Sequence, residues 1–143
     1  MKAVNFNTLE AGQLVEVPRT QFAPMRRGWN GWLFSDAVVI RKGISKRTGN
    51  KVVVVRMMIP FKTTNGYKTI EKCFNAAHVF QTKNIERAKH ILEEDGVKTE
   101  EDFRKYSAEG GGEWNGQRVV GCDWIRFLVD EGFIKFEDQE VTD

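Results

Sequence analysis

The sequence predicts an α+β protein: a small antiparallel β-barrel or strongly bent sheet in the N-terminal half, then about three α-helices and a short final strand. Three observations lead there. Residues 13–80 carry four or five short apolar segments, several with period two, separated by turn residues. From residue 84 the apolar spacing lengthens to that of a helix. Charge divides at the same place. Residues 1–83 hold 14 Lys/Arg against 4 Asp/Glu, a net of +10; residues 84–143 hold 8 against 16, a net of −8. The expected organisation is a basic β-rich region over 1–82 and an acidic, mainly helical region over 83–143, together one compact unit.

Gln13–Pro18 alternates Leu14, Val15 and Val17 with Glu16, and Pro18 ends it. Residues 19–31 form a loop. Trp32–Lys42 follows as a strand, with Trp32, Phe34, Val38 and Ile40 expected on one face and Asp36 as the exception. Gly43–Asn50 is a turn. Lys51–Phe61 is rich in β-branched residues; Val53, Val55, Met57, Ile59 and Phe61 make its apolar face, with Arg56 outward. Asn65-Gly66 is a hairpin signal. Tyr67–Phe74 is the next strand, and a short one is expected near His78–Phe80.

In the second half, Asn84 is expected to cap a helix through Asp95, with Ile85, Ala88, Ile91 and Leu92 on one stripe and Gly96 after its end. Thr99 precedes Glu100, Glu101 and Asp102, acids suited to a helix N-terminus, and that helix runs to about Ser107. Gly110–Gly112 reads as a linker. A third helix is expected over Asp123–Glu131, with Trp124, Phe127 and Leu128 buried, then a strand over Phe133–Phe136.

The chain has 143 residues, 41% hydrophobic and 29% charged, ordinary values for a globular domain. No apolar run approaches the roughly 18 residues of a membrane span. The opening MKAVNFNTLEAGQ carries no apolar signal-peptide core. Cys73 and Cys122 belong to no CxxC pair, so a reducing, cytoplasmic setting is expected. His78 and His90 have no partner at metal-ligand spacing, and no nucleotide or nucleophile motif occurs. No catalytic residue, metal or cofactor is expected, and no enzyme activity.

Three basic features remain. The first is Met25–Trp32, where Arg26 and Arg27 precede Trp29 between glycines. Guanidinium groups take phosphate bidentately, and an exposed Trp29 stacks on a base; the alternative is a tryptophan folded back onto the core. The second is the turn bearing Lys46, Arg47 and Lys51, either a phosphate-tracking tip or simple protection against aggregation. The third is a stripe of Arg41, Lys42, Arg56, Lys62, Lys68 and Lys72 on neighbouring strands, expected on one shared outer surface.

AGQLVEV followed after a loop by RGWNGWLFSDAVVI resembles the opening of small SH3-like barrels of the KOW type, with Gly12 and Gly31 in the glycine places. That resemblance covers about 30 residues and implies a barrel that binds either nucleic acid or protein.

Glu93, Glu94, Asp95, Glu100, Glu101 and Asp102 place six acids within ten residues. They are either solvated helix ends or a negative surface. Such a surface would dock on a basic partner, cover the protein's own basic face, or meet a second copy head to tail. The function expected is a non-enzymatic accessory protein that binds RNA or DNA through Arg26, Arg27, Trp29, Arg41, Lys46, Arg47, Lys51 and Arg56. The alternative is a protein-binding regulator or inhibitor acting through Glu93, Glu94, Glu100, Glu101 and Asp102 or through the Trp29 loop. No membrane partner is expected.

Overall fold

The computed structural model describes residues 2–18, 34–60, 67–108, 113–114, 117–118 and 123–136. The chain divides into two compact units, Met1–Thr82 and Lys83–Asp143. The composition is α+β, as the sequence predicts.

In the first unit, β1 (Leu14–Pro18), β2 (Phe34–Ile44), β3 (Lys51–Pro60) and β4 (Tyr67–Asn75) pair antiparallel in the order β1-β2-β3-β4. This is an open sheet with β1 and β4 as its end strands. The β-branched run of β3 drives it. Val53, Val55 and Met57 are at most 1% exposed and pack with Val15, Val17, Ala37, Val39, Phe74 and Val79. Burying side chains of this size stabilises by roughly 1.5–3 kcal/mol each.

Phe34 and Val38 share one face of β2 with Asp36, as expected, but the opposite face is the one that lines this core. Ala37 pairs with Met57 and Val39 with Val55, so the odd residues face this core, not Phe34, Val38 and Ile40. The reason is that Ser35–Val39 are all buried, so alternation there does not mark which side is the core. Trp32 lies outside the described residues.

A β-bulge follows at once. Val39 pairs with Val55, but Arg41 pairs with Val54, leaving Ile40 as the extra residue. Parity therefore flips along β2. Lys42 and Ile44, opposite Val53 and Lys51, lie on the core-side face, and Arg41 lies on the other.

After β4 the chain makes a 3-10 turn over Ala76–His78, where Asn75 Oδ1 accepts from Ala77 N at 2.9 Å. It then returns to the outer edge of β1. Phe80 N donates to Glu16 O and Glu16 N donates to Phe80 O, each at 2.9 Å. The short strand expected near His78–Phe80 is thus a turn followed by isolated bridges at Phe80.

The second unit contains α1 (Asn84–Glu94), α2 (Glu100–Ala108), a two-stranded pair β5 (Glu113–Trp114) and β6 (Gln117–Arg118), and α3 (Asp123–Asp130). Asn84 is the first residue of α1 and not its cap; Lys83 holds that position without a side-chain bond. At the other end Gly96, at φ +73°, closes the helix. Gly96 N donates to Glu93 O and Val97 N to Leu92 O, the paired bonds of a left-handed C-terminal cap. Ile125, Phe127 and Leu128 of α3 are buried. The final strand over Phe133–Phe136 does not form. Phe133 N instead donates to Leu128 O in closing α3, and Phe136 stacks on Phe103 at 5.4 Å. Hydrophobic burial of Ile134 and Phe136 accounts for the apolar pattern there without strand pairing.

Candidate nucleic-acid interface

Residues 41–51 carry Arg41, Lys42, Lys46, Arg47 and Lys51 and no Asp or Glu. They form the end of the β2–β3 hairpin. Its turn is pinned from within. Ser45 N donates to Asn50 O and Gly49 N to Ser45 O, both at 2.8 Å. Thr48 N donates to Ser45 Oγ and Asn50 N to Thr48 Oγ1, both at 3.3 Å. Gly49 sits at φ +75°, where a side chain would be strained. Four of the turn's backbone donors, those of Ser45, Thr48, Gly49 and Asn50, are used internally, and Lys46 and Arg47 are left exposed on that frame.

The five cations differ in what they do. Lys42 Nζ donates to Phe6 O at 2.7 Å and to Asn7 O at 3.1 Å. Lys42 and Lys51 also lie over the Phe6 ring, at 5.0 and 5.4 Å from its centroid. Lys42 is thereby a clasp on the N-terminal segment. Among the described residues, Arg41, Lys46, Arg47 and Lys51 make no ion pair with a carboxylate. Ile44, directly opposite Lys51, is the exposed large hydrophobic residue of the described chain, at 57%.

The expected single stripe is divided. Arg41, opposite Val54, and Arg56, between Val38 and Glu71 in one row, lie on the face away from the core. Lys42, Lys68 and Lys72 share the core-side face, with Lys72 over the Phe74 ring at 5.5 Å. Strand alternation separates them, with the bulge at Ile40 moving Lys42 to the core side and Arg41 to the other. Arg26, Arg27, Trp29 and Lys62 lie outside the described residues. The structure therefore brings together Arg41, Lys46, Arg47 and Lys51 at one end of the sheet, and sets Arg56 apart from them in mid-strand. Sequence reasoning missed the clasp of Lys42 on Phe6, because a contact across 36 positions leaves no local signal.

The acidic candidates are largely engaged within their own helices. His90 Nε2 lies 3.0 Å from Glu94 Oε1, and Arg104 Nη2 donates to Glu100 Oε1 at 3.0 Å. Lys105 Nζ is 4.0 Å from Glu101 Oε1. Asp102 Oδ2 accepts from Lys98 N at 3.1 Å and Thr99 N at 3.2 Å, and Asp102 N donates to Thr99 Oγ1 at 3.1 Å. These two backbone donors hold the Asp102 carboxyl below its ordinary range. Glu93 is exposed at the end of α1.

A further polar group spans β1 and β2. Glu16 and Asp36 are opposite in register, Asp36 is 4% exposed, and Thr82 Oγ1 donates to Glu16 Oε1 at 2.9 Å. Among the described residues no three His, Cys, Asp or Glu side chains converge as metal ligands, and no helix is long and apolar enough to cross a membrane. No protein-family model, curated protein or solved structure significantly matches this chain.

Proposed function

We propose that this is a non-enzymatic accessory protein that binds nucleic acid through the end of the β2–β3 hairpin, mainly by contacts to the phosphate backbone. The observation that carries this is local. Residues 41–51 hold five cations and no acid, and Arg41, Lys46, Arg47 and Lys51 have no carboxylate partner among the described residues. Cations already neutralised by neighbours would release no counterions; these four retain their charge for a polyanion. Arg26, Arg27 and Trp29 extend the same proposal into the loop between β1 and β2, and Arg56 into the sheet.

The finer form of the fold that we propose is an SH3-like barrel. Its support is the succession of a long β1–β2 connection, a three-strand meander, a 3-10 turn and a return to the edge of β1 at Phe80. The alternative of a regulator acting through its acidic helices has less support. Glu94, Glu100, Glu101 and Asp102 already meet partners on their own segments.

The test is direct binding of the full chain to labelled DNA and RNA at low salt. Replacing Arg41, Lys46, Arg47 and Lys51 by Ala together should abolish binding to all sequences alike. Unchanged binding in that variant, or none in the wild type, would defeat the proposal.

A further inference from the structure

We infer that the hairpin end is built for a groove of duplex DNA, with Ile44 making an apolar contact inside it. This rests on the nucleic-acid reading above and goes beyond it in naming the strandedness and the residue that enters.

The first ground is shape. A two-stranded antiparallel ribbon with strands about 4.8 Å apart fits a B-form major groove about 12 Å wide. The A-form RNA major groove is too narrow and deep for side chains to read. The last strand row shared with β4 is Val52 with Asn75, and β1 pairs with β2 only over Phe34–Val38. Beyond those rows the β2–β3 ribbon runs on through Ile44 opposite Lys51 and into the turn, with Phe6 of the N-terminal segment against the Lys42 and Lys51 ammonium groups.

The second ground is the kind of apolar surface present. Single-strand binders use exposed aromatic rings as stacking platforms. Near this tip the Phe6 ring is occupied by Lys42 and Lys51, and the Phe74 ring by Lys72. Among the described residues, what the tip exposes is aliphatic: Ile44, with Lys51 across from it and Lys46 and Arg47 just beyond. Aliphatic groups in DNA grooves meet thymine methyls or sugars, while cations on either side hold the two phosphate rims. An unburied isoleucine among cations thus acquires a defined role.

The experiment compares Ile44→Lys and Ile44→Ala with wild type on one sequence. It is presented as duplex DNA of about 20 base pairs, as one of its single strands, and as duplex RNA, at about 50 mM salt. Thermal melts check that the exposed substitutions leave folding unchanged. A tip acting by charge alone gains affinity when a cation is added. A tip that seats Ile44 loses about five- to tenfold on duplex DNA with either variant, despite the added charge in one. Wild type is expected to prefer duplex DNA by about tenfold over the other two forms. Tighter binding by Ile44→Lys, or equal binding to single strand or RNA duplex, overturns this inference and leaves backbone binding standing. No binding of any form by wild type removes both.

Discussion

Lys42 Nζ reaches back 36 positions to donate to the carbonyl oxygen of Phe6 at 2.7 Å, with its ammonium also 5.0 Å from the Phe6 ring. A cation in the most basic stretch of the chain is therefore a structural clasp. Replacing it by Met keeps the stem and removes the donor. Lys42→Met should cost about 1 kcal/mol in urea unfolding, since a charge-assisted bond at an exposed site contributes about that much. The pair Lys46→Ala and Arg47→Ala, in contrast, should leave stability within about 0.5 kcal/mol. Binding should respond in the opposite order. A clasp residue whose loss weakened binding more than loss of the tip pair would contradict this division.

Salt dependence provides the second prediction. If Arg41, Lys46, Arg47 and Lys51 each neutralise one phosphate, the logarithm of affinity for a DNA duplex falls with the logarithm of salt with a slope of about −3.6. Removing Lys46 and Arg47 should flatten it by about 1.8. Fluorescence anisotropy over a salt series reads both. A slope near zero would mean that the hairpin cations touch no phosphate.

What the sequence revealed and what it hid follow from the range of the forces involved. The run Val52–Val55 announces β3 locally, and Gly96 announces the end of α1 by its left-handed backbone. The basic tip was also legible, because a turn and its charges lie together in sequence. Register is a long-range property. Only pairing with β3 reveals that Ile40 is an extra residue, that Lys42 turns to the core side and that Arg41 and Lys72 part company. The apolar residues after Gly132 look like a strand, yet Phe136 finds its partner in the ring of Phe103 and needs no ladder.

The start of α2 should be sensitive to acid through one side chain. Asp102 accepts from Lys98 N and Thr99 N, and both bonds favour its charged form, so its folded value lies below the ordinary one near 3.8. Its contribution is complete above that unfolded value and is lost as pH falls through the folded one. Wild type should therefore lose more stability between pH 7 and about pH 2.5 than Asp102→Asn does. Thr99→Ala, which removes the acceptor for Asp102 N, should cost about 1 kcal/mol at either pH. Equal acid sensitivity of wild type and Asp102→Asn, by urea titration, would show that the carboxylate is not a cap.

Ser35 sets up the last prediction. It is the second residue of β2, opposite Val17, is 5% exposed, and its Oγ has no hydrogen-bond partner among the described residues. A hydroxyl buried without a partner loses its water and regains nothing, at a cost of about 1–3 kcal/mol. Ser35→Ala removes the orphan group and leaves a gap of only one oxygen atom. Cavity and desolvation effects oppose each other, and for so small a void desolvation is the larger. The variant should be neutral to about 1 kcal/mol more stable by thermal or urea unfolding. Ser35→Thr keeps the hydroxyl and adds a methyl to a closed site, so it should destabilise by about 1 kcal/mol or more. A clear loss of stability in Ser35→Ala would mean that the hydroxyl is bonded after all, to a group outside the described residues or to water.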